Sequence, residues 1–147
     1  MRQALGLARR AAGRGEVPVG ALILWRDTAG DLKVLARAHN VTEGRFDPTG
    51  HAEIQVIRRA AGRLGRWRLN DCALVVTLEP CAMCAGAAVW ARMGKILYGA
   101  ADPKAGACGS VLDVARHPRL NHHVEIQGGI LQRECGEVLK EFFRKRR

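Results

Sequence analysis

Thr77-Leu78-Glu79-Pro80-Cys81-Ala82-Met83-Cys84, read with His51-Ala52-Glu53 upstream, is the stretch on which the fold and chemistry of this chain turn. The C-x-x-C of Cys81 and Cys84 is by itself ambiguous between a redox pair, half of a structural zinc site and a catalytic metal site. Pro80 narrows the choice, because proline is favoured at the first position of a helix and so marks the pair as opening one. Cysteines at i and i+3 then share a helix face near its positive end, where thiolates are favoured. His51 brings an imidazole from a second segment, and Glu53 a carboxylate beside it. Three protein ligands leave zinc an open fourth position for water, the mark of a catalytic site. Zinc lowers the pKa of that water from roughly 16 to about 7, and Glu53 is the carboxylate placed to move its protons.

Working outward, Cys72–Leu78 reads as a strand buried on both faces, followed by a helix from Cys81 to about Ala91 and a strand over 95–100. Residues 2–13 carry Leu5, Ala8 and Ala12 at helical spacing, with Gly13 and Gly15 as a stop. Val19–Trp25 is a continuous apolar strand, and residues 32–38 return as the other arm of a hairpin. Residues 39–50 read as loop. A helix from His51 places Ile54, Ile57, Ala61 and Leu64 on one stripe and ends at Gly62 and Gly65. Residues 102–109 form a glycine-containing loop, Ser110 caps a short helix through Val111, Leu112 and Val114, and 122–127 is a short last strand. The final helix starts at Ile130, with Leu131, Cys135, Val138, Leu139 and Phe142 on one face. The alternation predicts a single α/β domain over residues 1–147, with helices on both faces of a sheet opened by an antiparallel hairpin. Ligands of such sheets sit at the carboxyl ends of strands, so the metal falls after residue 78. His51 and Glu53, two apart, converge only from a first helical turn, which aims two helix N-termini at the metal.

A hydrophobic fraction of 48% and a charged fraction of 26% describe a globular, soluble chain. No run approaches the 18 or so apolar residues of a membrane span, and no signal-peptide pattern is present at the N-terminus. Five cysteines, an odd number, suit a reducing cytoplasm. Cys72 and Cys135 read as small core residues, and Cys108 as a free thiol near the site. Lys and Arg number 24 against 14 Asp and Glu, a net charge of +10 that fits a polyanionic partner such as nucleic acid. Ordinary solubility is the plain alternative, but Arg144-Lys145-Arg146-Arg147 is a block, with Phe142 and Phe143 beside it. Phe142 falls on the apolar stripe and packs, which leaves Phe143 as the aromatic for RNA stacking.

H-x-E followed by P-C-x-x-C is the zinc deaminase signature, and HAE with PCAMC supplies both halves. The chain closely resembles the bacterial tRNA adenosine deaminase family, within the cytidine deaminase superfamily. The likeness runs through EVPVGA (16–21), Asn40, DPTGHAEI (47–54), RLND (68–71), TLEPCAMCAGA (77–87), YGAADPKAGACGS (98–110), HP (117–118), NHHVEIQGGIL (121–131) and FFRKRR (142–147). It implies a three-layer α/β/α fold around a mixed sheet of about five strands, one zinc per subunit, a homodimer and a cytoplasmic setting. It implies hydrolytic deamination of adenosine to inosine at the wobble position of a tRNA anticodon, with the anticodon arm as partner. By position, His51, Cys81 and Cys84 hold zinc and Glu53 shuttles protons. Asn40 contacts the base, Asp102 contacts the target's sugar–phosphate, and Phe143, Arg144, Arg146 and Arg147 contact RNA. Two positions depart from the family: Phe46 stands where a polar residue is common, and Gly50 replaces the usual alanine.

Rival readings keep the same ligands. A guanine or other free-base deaminase shares the motifs, as does a cytidine deaminase, but neither needs a polyanion-binding surface. A zinc-stabilised RNA-binding module has no need of Glu53, and a C-x-x-C oxidoreductase has no need of His51. Glu79 reads as a structural carboxylate at a strand end, with a second acid–base role as its alternative. Trp25, Trp67 and Trp90 read as packing residues, Trp90 at the subunit contact, and His122 and His123 lie in a context that fits RNA.

Overall fold

The computed structural model describes residues 1–146. Its elements run α1 (Arg2–Gly13), β1 (Gly20–Arg26), β2 (Leu32–His39), α2 (Thr42–Arg45), α3 (Ala52–Leu64), β3 (Cys72–Leu78), α4 (Ala82–Trp90), β4 (Lys95–Ala100), β5 (Glu125–Gln127) and α5 (Gln132–Lys145). The strands form one five-stranded mixed sheet in the order β2-β1-β3-β4-β5. β1 is antiparallel to both β2 and β3, whereas β3, β4 and β5 run parallel. Helices α3 and α4 pack together on one face, and α1 and α5 on the other, giving the three layers anticipated from the sequence.

Side chains alternate between those layers, as a strand's period of two requires. Ala21, Ile23, Leu74 and Val76 enter the core with Val56 and Ala60 of α3, while Leu22 and Val75 turn to the opposite face with Ala4 of α1. β3 is therefore covered on both sides, which explains its unbroken apolar run. Two glycines allow helices to approach the sheet closely. A methyl at Gly20 would lie 2.6 Å from Ala8 N of α1, and one at Gly99 would lie 2.7 Å from Thr77 O and 2.8 Å from Cys135 Cβ of α5.

The register gathers one edge of the sheet. Gly20 at the start of β1 faces His39 at the end of β2, and Leu78 at the end of β3 faces Ala100 at the end of β4. From this edge leave the segments that carry His51, Cys81 and Asp102.

Three local expectations are corrected. Residues 110–114 form no helix: the Val111 and Leu112 N–H groups both donate to Gly106 O, Cys108 bridges to Asp113, and Ser110 is taken up by Glu79 instead of acting as a cap. The loop 39–50 contains the single helical turn α2, which is too short to show an apolar period. β5 spans only Glu125–Gln127: the Val124 N–H donates to Ala115 O at 2.9 Å instead of to β4, and the His122 ring Nε2 lies 2.8 Å from Met93 O.

Candidate metal centre and its surroundings

His51 and Cys81 occupy equivalent places, each as the N-cap of a helix with extended backbone, at φ −72°, ψ 146° for His51 and φ −72°, ψ 174° for Cys81. An N-cap side chain commonly folds back onto the first-turn amides, but neither of these does so. Both are left free to point away from their helices. Cys84 follows one turn into α4 and is fully buried. The three donor atoms lie within 4.8 Å of one another, with His51 Nδ1 3.7 Å from Cys81 Sγ and 3.5 Å from Cys84 Sγ. A tetrahedral zinc with Zn–S of about 2.3 Å and Zn–N of about 2.0–2.1 Å separates N from S by about 3.6 Å, which both N–S distances here match.

The electrostatics of the cluster agree. Cys84, then His51, hydrogen-bond to the Cys81 sulfur and pull its pKa down to about 3, while Cys84, paired to Cys81 and buried, is pushed up. His51 is raised through its bond to Cys81.

Glu53 stands in the first turn of α3, 4% exposed, with Oε2 lacking any hydrogen-bond partner among the described residues. Burial raises its pKa, and the charges it feels are those of His51 and Cys81. A buried carboxylate oxygen left unpaired is costly unless something else at the site engages it. His51 and Cys81 thus meet at the N-termini of α3 and α4, with Glu53 in the first turn of α3.

Asn40 is buried at the end of β2, and its Oδ1 accepts the Ala52 N–H at 2.9 Å. It thereby caps the helix that carries Glu53, and its amide nitrogen remains as a donor. Asp102 lies at the start of the loop that pairs with the site through the Cys81–Gly106 bridge. Its side chain accepts Lys104 N–H at 2.9 Å, and its own N–H donates to Glu79 Oε2 at 3.0 Å. Phe142 is buried, Phe143 is half exposed, and the rings meet edge to face at 5.3 Å. Arg144 and Arg146 are exposed, and the Arg146 guanidinium lies 4.4 Å over the Phe142 ring. Arg147 lies outside the described residues.

Two carboxylates carry more of the local architecture than the sequence suggested. Glu79, 2% exposed, accepts the N–H groups of Asp102, Cys108 and Ser110 at 3.0, 3.0 and 3.1 Å, together with the Ser110 hydroxyl. Burial alone would raise its pKa, but these bonds outweigh it and hold the group ionised. A carboxylate so saturated is a loop anchor. Glu16, 3% exposed, accepts the N–H groups of Glu43 at 3.1 Å and Gly44 at 2.7 Å and so fixes α2. Nothing in its sequence neighbourhood announces this, because both partners are 27 or 28 residues away.

A model of the MafB19-like deaminase family matches residues 1–147. The tRNA-specific adenosine deaminase of Bacillus subtilis strain 168 is 43% identical over 147 residues, 100% of this chain and 88% of that protein. This chain belongs to the tRNA-specific adenosine deaminase family. A solved structure from work on A-to-I editing by tRNA:A34 deaminases at the wobble position of transfer RNA matches with a TM-score of 0.87 and 43% identity. That match covers 95% of this chain and 97% of the other. A tRNA(Ile)-lysidine synthase of Deinococcus radiodurans is 48% identical over 144 residues, but the chain spans 24% of that longer protein.

Proposed function

We propose that this chain is a zinc-dependent deaminase that converts adenosine to inosine at the wobble position of a tRNA anticodon. The carrying observation is the meeting of His51, Cys81 and Cys84 at two helix N-termini with the buried, unpaired carboxylate of Glu53 beside them. Membership of the family supports the substrate, as does the net charge of +10. No helix among the described residues is long and apolar enough to cross a membrane. The reading includes one zinc per subunit, a homodimer and a cytoplasmic setting, in line with five free cysteines.

When bound by His51, Cys81 and Cys84, zinc supplies a water acidified to a pKa of about 7. Glu53 does the proton work. Its carboxylate takes one proton of the water that adds to C6 of adenine and delivers it to N1; it then takes the proton of the added hydroxyl and passes it to the exocyclic nitrogen, which leaves as ammonia as the C6 carbonyl forms. The inosine oxygen comes from water, so the atoms balance as adenosine plus water giving inosine plus ammonia. A pKa raised by burial suits a group that must both accept and return a proton. Asn40 offers its amide N–H₂ to the base while its carbonyl keeps α3 in place. Glu79 fixes the loop from Asp102 to Ser110 that walls the site, and Asp102 lies at its start for the sugar–phosphate. An adenine in a loop is already unpaired, so turning it into this site costs little.

The test is product analysis with purified zinc-loaded protein given a wobble-adenosine stem-loop, free guanine or cytidine. Inosine from the stem-loop alone is the expected result. Xanthine or uridine instead would keep the hydrolytic chemistry and overturn the tRNA substrate.

A further inference from the structure

We propose that Phe46 is a specificity-determining contact, stacking on an unpaired base of the RNA next to the target adenosine; the inference rests on the deamination reading above. Phe46 is 95% exposed and has φ of 52°. Both features are unfavourable for a phenylalanine, since apolar surface stays in water and a bulky side chain sits on left-handed backbone. The fold gains no burial from this ring. Strained, exposed groups that persist are concentrated at ligand contacts.

The location gives the ring its partner. Phe46 caps α2 at its C-terminus, within a loop closed at its root by the Val41 N–H donating to Gly50 O at 2.9 Å. Immediately outside that root stand Asn40 and the ligand His51. The exposed tryptophans stand at the far ends of the two site helices: Trp67 follows the 13-residue α3, about 20 Å along the helix from His51, and Trp90 ends the 9-residue α4, about 13 Å from Cys81.

The loop is also held still. Glu16, buried between α1 and β1, accepts two of its amides, so Phe46 is presented by a braced turn. A braced aromatic loses little freedom when a base covers it. The residue before Glu16 is Gly15, whose carbonyl accepts from the guanidinium of Arg146, the residue that caps the C-terminus of α5. The basic end of α5 and the Phe46 loop are therefore tied to consecutive residues, 15 and 16, and Arg45 beside Phe46 is exposed. An aromatic face flanked by cations matches the stacking-plus-phosphate chemistry of single-stranded RNA.

The experiment uses full-length, zinc-loaded protein and stem-loops carrying 2-aminopurine at one flanking position at a time. Wild type is expected to quench the probe at one flanking position. Phe46→Ala should lose that quench and raise KM for the stem-loop roughly 5- to 100-fold, the range of one base–aromatic stack. Zinc content and Tm should not move, and Phe46→Trp should restore both quench and KM. Glu16→Gln sets an amide N–H₂ against one of the donors and should act in the same direction, with an effect that fails to multiply with Phe46→Ala. Equal quench and KM in wild type and Phe46→Ala would overturn the stacking contact while leaving the deamination reading intact. A wild-type protein that makes no inosine from any stem-loop would overturn both.

Discussion

Glu53 shows how one residue's environment sets its chemistry. Its carboxylate is buried, one oxygen lacks a partner, and its pKa is raised by burial. A purely structural carboxylate looks different, and Glu79 supplies the comparison within the same molecule: equally buried, saturated with hydrogen bonds and held ionised. On the proposed mechanism, replacing Glu53 with alanine removes the proton carrier and leaves the three sulfur and nitrogen donors in place. Turnover should fall by at least about 100- to 10,000-fold, the usual worth of a positioned acid–base group. Zinc measured by atomic absorption should stay at the wild-type level. Zinc loss on that substitution would assign Glu53 to the ligand set instead.

At the scale of the elements, the site depends on helices packed hard against the sheet. Gly99 of β4 has no room for a methyl between Thr77 O and Cys135 of α5. Gly99→Ala should therefore destabilise by about 1–3 kcal/mol, seen as a lower Tm with the same fold by circular dichroism. The α5 aromatics separate in the same way. Phe142→Ala, which empties a buried site, should lower Tm, whereas Phe143→Ala should leave Tm near wild type and weaken stem-loop binding about 5-fold or more. These elements were legible in sequence because their signals are local and repeated: the stripe of α3, the unbroken apolar run of β3, the Pro80 start of α4. His51, Glu53, Cys81 and Cys84 were legible because ligand spacing and helix starts are written in adjacent residues. Where signals are single or distant, the sequence misled or stayed silent. Ser110 looks like a helix cap, yet its donors are drawn to Glu79, which lies in a different segment. Glu16 is bonded to α2 across 27 residues, and four residues of α2 are too few to show a period.

Taken whole, the molecule joins a strongly basic chain to a compact His–Cys–Cys cluster that could hold a metal ion. Association with RNA should weaken steeply with salt, each phosphate contact by a single strand adding about 0.7 to the slope of log K against log salt. Replacing Arg144 and Arg146 with glutamine should flatten that slope by about 1.4 when measured by filter binding. An unchanged slope would make the basic end of α5 an ordinary solvated helix terminus. The five thiols divide by accessibility in a way that has a practical outcome. Cys72, Cys108 and Cys135 are sealed in the interior, the first two pushed up to about 12, so alkylating reagents and mild oxidants should pass them by. Cys81 alone is partly open, and the hydrogen bonds of Cys84 and His51 pull its pKa down to about 3. Treatment with a chelator should accordingly convert an inert protein into one with a single fast-reacting sulfur, and mass spectrometry after brief iodoacetamide exposure should find the label on Cys81. The chain thus carries its own gauge of metal occupancy, and the first oxidative injury it suffers after losing metal should fall on the residue that would have to take the metal back.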